Sequence, residues 1–213
     1  MDAAVALLNR NEDLIPELKA HFHNKTFPML QHPLVYSIPH FSEMNAYVNE
    51  QWRQKTVMLS KAVDEKKWES YIFIHERPYR MTAFCNIVKY LRDDEYWSLL
   101  KTVWVDSENI WQYKQVWIDF LTSTRKGFSR NFMNMTERGF LASLPDKVTI
   151  FRGYDESREG AADGLSYTLD HKIATKFSYR RCKKPALKTL IVDKEQILAF
   201  INQRGEEEII LRP

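Results

Sequence analysis

Three places in the last third of the sequence hold side chains suited to chemistry on an anionic ligand. Arg152 follows the β-branched run Val148-Thr149-Ile150-Phe151 and directly precedes Gly153. A guanidinium rooted at a strand end can bind a phosphate in bidentate fashion while the glycine lets backbone approach the ligand. Ser166 and Thr168 flank Tyr167, so strand alternation sets their two hydroxyls side by side on one face. Gly205-Glu206-Glu207-Glu208 runs straight into Ile209-Ile210-Leu211, and extended geometry would turn Glu206 and Glu208 to the same side. Two such carboxylates suit a reaction in which one steadies a cationic transition state and the other takes a proton from an acceptor. Taken singly, each place has a plain explanation: a salt-bridging arginine, edge-strand hydroxyls, a solvated acidic turn.

In order, the three places are far more specific. An arginine at a strand end, a Ser-x-Thr strand and Glu-x-Glu at the head of a last strand resemble the arginine–serine–glutamate class of mono-ADP-ribosyltransferases. That class shares its fold with cholera-type and clostridial toxins and with bacteriophage host-modifying enzymes. Phe151-Arg152-Gly153 looks like the family's aromatic-Arg-Gly start, and Ala174 and Phe177 look like its Ala-x-x-Phe helix. Asn202–Ile210 looks like its acceptor-recognition turn. The resemblance covers roughly residues 146–213. It departs from the family at Ser166-Tyr167-Thr168, where Ser-Thr-Ser is usual, and the short spacing from Ser166 to Glu208 implies trimmed loops.

The resemblance implies a role for each residue, with NAD as substrate. Arg152 would pair with a phosphate or the adjacent ribose. Backbone at Gly153 would bond the nicotinamide amide, and Ser166 would orient Glu208. Glu208 would bond the ribose hydroxyl beside the scissile bond, Glu206 would take the acceptor's proton, and Thr168 and Phe177 would complete the NAD site. Glu-x-Glu resembles the arginine-modifying branch, so protein arginine is the first expected acceptor, with nucleic acid as another. The implied protein is a phage or prophage effector in the host cytoplasm, or a toxin held by an antitoxin or other inhibitor. Two alternatives are an NAD glycohydrolase, with water as acceptor, and a binding module that kept the fold without turnover.

The rest of the chain must position these residues. Its 213 residues are 44% hydrophobic and 28% charged, ordinary globular usage that excludes disorder throughout. The net charge of +3 is too small to argue for nucleic acid by itself. All six tryptophans lie between Trp52 and Trp117, whereas four of the six glycines lie from Gly153 onward. The expected fold is therefore α+β, helical over 1–145 and strand-rich over 146–213 with a joint near Pro145. The resemblance implies that 146–213 is a compact split β-sheet core on which the helical region packs, the two together forming one compact unit. The periodicity predicts helices over 3–22, 42–68, 82–104, 107–123 and 171–179, with the tryptophans in their core. Pro28, Pro33 and Pro39 predict an extended connector over 24–40. Strands are expected at 148–151, 165–169, 189–192 and 208–211, with a short apolar turn or helix at 196–201.

Other signals are weaker. Asp2 and the short apolar run Ala3–Leu8 do not make a signal peptide, and no apolar run approaches a membrane span. Cys85 and Cys182 show no disulfide or CxxC pattern, so a reduced compartment is expected. The six histidines have no ligand spacing with a cysteine, and no metal is expected. The run Arg180-Arg181-Cys182-Lys183-Lys184 is a solvated loop or an anion contact, in which the cations could lower the Cys182 pKa.

Overall fold

The computed structural model describes residues 10–24, 26–108, 110–180 and 182–213. The chain forms two compact units, residues 1–90 and 91–213. Both mix helix with an antiparallel sheet, so the chain is α+β. The helices of residues 91–145 belong to the same unit as the carboxy-terminal sheet.

In the first unit, helix α1 (Pro16–Lys19) leads into a three-stranded sheet ordered β1 (Phe22–Asn24), β2 (Pro28–His32), β3 (Val35–Ser37). This sheet occupies the stretch whose prolines predict a connector. Pro28 is the first residue of β2, Pro33 sits in the turn, and Pro39 lies beyond β3. A proline at those positions removes no interior ladder hydrogen bond. Helix α2 (Asn45–Asp64), α3 (Trp68–Ile74) and α4 (Arg80–Ile87) complete the unit. The expected 42–68 helix breaks where Lys66 turns to φ 53°. Of the expected 3–22 helix, residues 3–9 lie outside the described residues and only α1 is helical beyond them. Leu18, Leu30, Val35 and Val48 build the core.

His32 gives this unit a built-in pH dependence. Its Nδ1 accepts the Leu34 N–H at 3.0 Å, and its ring meets His21 edge-on at 4.6 Å. Burial first, then the charges of His21 and His75, push its pKa down from 6.5 to about 4. The unfolded chain therefore binds this proton more readily than the folded one. Stability is fully present above pH 6.5 and is lost as the pH falls toward 4. An NMR titration of His32 is expected to give a midpoint near 4, with the unit melting at progressively lower temperature across that window.

The second unit opens with α5 (Asp93–Asp106), whose Tyr96, Trp97, Leu100, Val103 and Trp104 recur at helical spacing and are buried. The break at Leu91–Arg92 divides the expected 82–104 helix. Ser107 ends α5, its hydroxyl donating to the Val103 carbonyl at 2.7 Å, so it does not begin the helix expected over 107–123. A 3-10 turn at Ile110–Tyr113 precedes α6 (Lys114–Leu121), followed by α7 (Phe128–Phe132) and α8 (Met135–Ser143). Asn134 caps α8 by accepting the Glu137 N–H at 2.9 Å.

Strands β4 (Lys147–Asp155), β5 (Ser166–Thr168), β6 (Pro185–Asp193), β7 (Ile197–Ile201) and β8 (Glu208–Leu211) form one antiparallel sheet, ordered β6-β4-β5-β8-β7. Helix α9 (His171–Tyr179) has the span its periodicity predicts. β7 replaces the expected turn or helix: all five of its residues are buried, the continuous apolar run of a strand covered on both faces. β4 pairs with β6 along its whole length but meets β5 only at Phe151↔Thr168.

Gly153 shows how tightly α9 lies on this sheet. A β-carbon there would fall 2.0 Å from the Ala174 carbonyl oxygen and 2.5 Å from the Ser178 nitrogen, both backbone. Gly153→Ala must lift α9 off β4, and overpacking of this kind costs about 1–3 kcal/mol or more. A lower denaturant midpoint is the expected outcome, with a normal midpoint contradicting this packing.

Candidate functional site

Pairing of β5 with β8 sets Thr168 opposite Glu208 and Ser166 opposite Ile210. Ser166 is thus the diagonal neighbour of Glu208, within reach of its side chain. Its hydroxyl donates to Glu208 Oε1 at 2.5 Å, and the Trp104 indole N–H donates to the same oxygen at 3.0 Å. Oε2 takes no hydrogen bond among the described residues. Glu208 is only 7% exposed. Burial pushes its pKa above the ordinary carboxylate value, against the lowering effects of Ser166, Trp104 and Arg204, while Glu206 adds to the rise.

The Thr168 hydroxyl donates to the Glu206 carbonyl at 2.7 Å and accepts the Asp170 N–H at 3.0 Å. It therefore holds the acidic turn in place, and both its bonding directions are used within the protein. Glu206 and Glu208 do line one cleft, but not through strand alternation. Glu207 between them has φ 46°, a left-handed conformation uncommon for a side chain of this size. Its N–H donates to Asn202 Oδ1 at 3.1 Å, and its carbonyl accepts the Leu169 N–H at 3.1 Å. Asn202 N–H in turn donates to Glu137, whose buried carboxylate also meets Lys101 at 2.6 Å.

Arg152 lines the same cleft. Its Nε donates to the Ala161 carbonyl at 3.1 Å and Nη1 to the Ser166 carbonyl at 2.6 Å, leaving Nη2 without a protein partner among the described residues. The guanidinium lies against Gly164, where a β-carbon would come within 2.1 Å of its Cζ. Arg152 thereby ties the loop before β5 to the first residue of that strand. Burial lowers its pKa, opposed by Tyr167, Asp163 and Glu208. A guanidinium stays charged regardless.

The cleft has a volume of about 510 Å³, within the range of small-molecule sites. Phe177 lines it from α9 and is half-buried, so it is not ordinary core. Gly153 also borders it, but its missing side chain is explained by the contact with α9, a reason different from the expected nicotinamide bond.

Several residues here were not among the site residues expected from the sequence. Trp104 is core, as expected of the tryptophans, yet its indole N–H serves Glu208. Trp111 is 48% exposed at the cleft, an exception to the expectation that the tryptophans are core. Lys114 Nζ lies 5.0 Å from the Trp111 ring centre and donates to the Asp163 carbonyl. Arg204, at the turn, places Nη2 2.8 Å from Glu206 Oε2. Cys182 borders the cleft, but burial and then Asp155 push its thiol up, contrary to the lowering expected from its cationic neighbours. Among the described residues no group of His, Cys, Asp and Glu could hold a metal, and no helix is long and apolar enough to cross a membrane.

Comparison with protein-family models, curated proteins and solved structures finds no match for the chain.

Proposed function

We propose that the protein is an NAD-dependent mono-ADP-ribosyltransferase, moving ADP-ribose from NAD to a macromolecular acceptor with release of nicotinamide. One observation carries the reading: Ser166 donates to a buried Glu208 whose second oxygen is open, in a cleft shared with Arg152. The single β4–β5 pair, beside the nine-residue pairing of β4 with β6, supports a split-sheet ADP-ribosyltransferase architecture.

In this mechanism Arg152 Nη2 draws an NAD phosphate or the adjacent ribose into the cleft. Phe177 gives the nicotinamide an aromatic wall. Ser166 and Trp104 fix Oε1 of Glu208, so that Oε2 can accept a hydrogen bond from the ribose hydroxyl beside the scissile bond. When the ribose C1′–nicotinamide bond breaks, its electron pair leaves with neutral nicotinamide and positive charge spreads over the sugar. A fixed carboxylate in a site of low polarity stabilises that charge without reorganisation. The acceptor then bonds to C1′ and Glu206 takes its proton. Protein arginine is the first acceptor on this reading, and nucleic acid the second. The same resemblance makes the protein an effector acting in a host cytoplasm, with an inhibitory partner where it is made.

The Arg204–Glu206 ion pair favours a second reading, NAD glycohydrolysis, because it occupies the carboxylate that would serve an acceptor. Measuring nicotinamide release with and without bacterial lysate separates the two. The transferase reading expects release to accelerate with lysate and labelled ADP-ribose to appear on macromolecules. Full-rate release without lysate and no labelled product would establish hydrolysis.

A further inference from the structure

We propose that β6 is a dimerisation edge, at which two copies of this chain join their sheets by antiparallel pairing about Thr189.

β6 is an outer strand of its sheet and pairs only with β4 among the described residues. Its register fixes which main-chain groups remain. Lys184 and Lys194 flank the strand, and each bonds toward the β4 side. The Lys184 carbonyl accepts the Glu156 N–H at 2.9 Å, and the Lys194 N–H donates to the Asp146 carbonyl at 2.9 Å. Main-chain groups of an antiparallel strand point alternately to its two sides, so the even-numbered residues spend theirs on β4. Those of Leu187, Thr189 and Ile191 point away from the sheet. Asp193, next in that series, shows the direction, since its N–H turns to Gln196 Oε1 at 2.8 Å.

The side chains of the same three residues are exposed, Ile191 at 71% and Leu187 at 41%, while Leu190 and Val192 face the core. Lys188 is on the core side too, held by Asp163 Oδ1 at 2.8 Å. The free edge therefore reads Leu-Thr-Ile, without the charge, proline or bulge that usually keeps an edge strand alone.

This triplet is symmetric about Thr189, which favours a second copy over an unrelated strand. With Thr189 on a two-fold axis, Leu187 of each copy opposes Ile191 of the other. Every opposed pair then exchanges two main-chain hydrogen bonds, and the apolar side chains meet across the strands. Neighbouring registers are poorer. An axis at Lys188 sets the two Lys188 residues against each other and puts Pro185, which has no N–H, opposite Ile191. An axis at Leu190 puts Leu187 opposite Asp193, whose N–H is already spent. None of the three edge residues borders the cleft.

Sedimentation equilibrium of the full chain is expected to show a mass rising toward that of a dimer over roughly 5–200 µM, as suits a small interface. Ile191→Lys should weaken self-association about tenfold or more by setting a charge among apolar groups. Its melting temperature should not change, because the side chain is exposed. On mild oxidation Thr189→Cys should crosslink to its own copy, since opposed Cα atoms in a hydrogen-bonded pair lie about 5.5 Å apart, within disulfide reach. Leu187→Cys should not, because its counterpart lies four residues along the strand, about 13 Å away. Peptide fragmentation distinguishes these links from any through Cys85 or Cys182. A chain monomeric throughout, self-association unchanged in Ile191→Lys, or failure of Thr189→Cys to crosslink would overturn the proposal. None of these results bears on the transferase reading.

Discussion

Replacing Glu208 with glutamine is expected to slow nicotinamide release about 10²- to 10³-fold, the usual cost of removing a preorganised electrostatic group, and to raise the melting temperature. The two effects have one cause. Glu208 is buried, and both donors that reach it use the same oxygen. Glutamine keeps an oxygen for the Trp104 N–H and the Ser166 hydroxyl but removes the charge that develops against the ribosyl cation. For stability, the folded pKa of Glu208 lies above its unfolded value. Its contribution is therefore full below the unfolded pKa and is lost as pH rises through the folded one, so the ionised group is a burden at neutral pH. Removing it is therefore expected to raise the melting temperature at pH 7. The gain should shrink as pH drops toward 4.5. The acid limb of wild-type activity should lie above the ordinary carboxylate range for the same reason. Calorimetry and a pH–rate profile check both, and a variant that is less stable at pH 7 would deny that this carboxylate is held at a cost for function.

Glu137→Ala is expected to destabilise the second unit by about 3–5 kcal/mol, because it leaves the Lys101 ammonium unpaired in a largely buried place. The Lys101 and Glu137 side chains are 14% and 4% exposed and meet at 2.6 Å. Burial alone would raise the Glu137 pKa, but Lys101 and the backbone N–H groups of Asn134 and Asn202 pull it below the ordinary value. Its contribution is thus present above the unfolded pKa and is lost as pH falls through the lowered folded one. Lys101→Met with Glu137→Leu should recover much of the stability, apolar replacements of a buried pair being tolerated. Activity should stay low in that double variant. Asn202, which holds the Glu207 N–H, loses its own anchor on Glu137 when the carboxylate is removed. Recovery of stability and activity together would show that the pair only packs. Chemical denaturation and nicotinamide release measure the two properties separately.

Helix α9 was legible because its inward Ile173, Ala174 and Phe177 keep a helical period and Asp170 caps it, accepting the Lys172 N–H at 2.7 Å. β4, β5 and β8 were legible because β-branched and apolar runs stood between polar segments. The small sheet of the first unit was not, since its strands are three to five residues long and their bounding prolines read as breakers. β7 was missed because a short apolar run carries no alternation when both faces are covered. The Ser166–Glu208 pairing was implied by the family resemblance alone; alternation set Ser166 beside Thr168 but did not join that strand to Glu208. Glu206 and Glu208 were expected on one side through strand alternation, and they do line one cleft, but through the left-handed Glu207 that extended geometry overlooks. Trp104 meets Glu208 from 104 positions away, a contact that no local pattern encodes.

The most direct measurement is a crystal structure of Glu208→Gln soaked with NAD, in which slow turnover preserves the dinucleotide. The account predicts NAD folded in the cleft of the second unit, with its diphosphate or adjacent ribose on Arg152 and its nicotinamide ribose beside residue 208. NAD bound on another surface, or a cleft empty at saturating NAD, would contradict it.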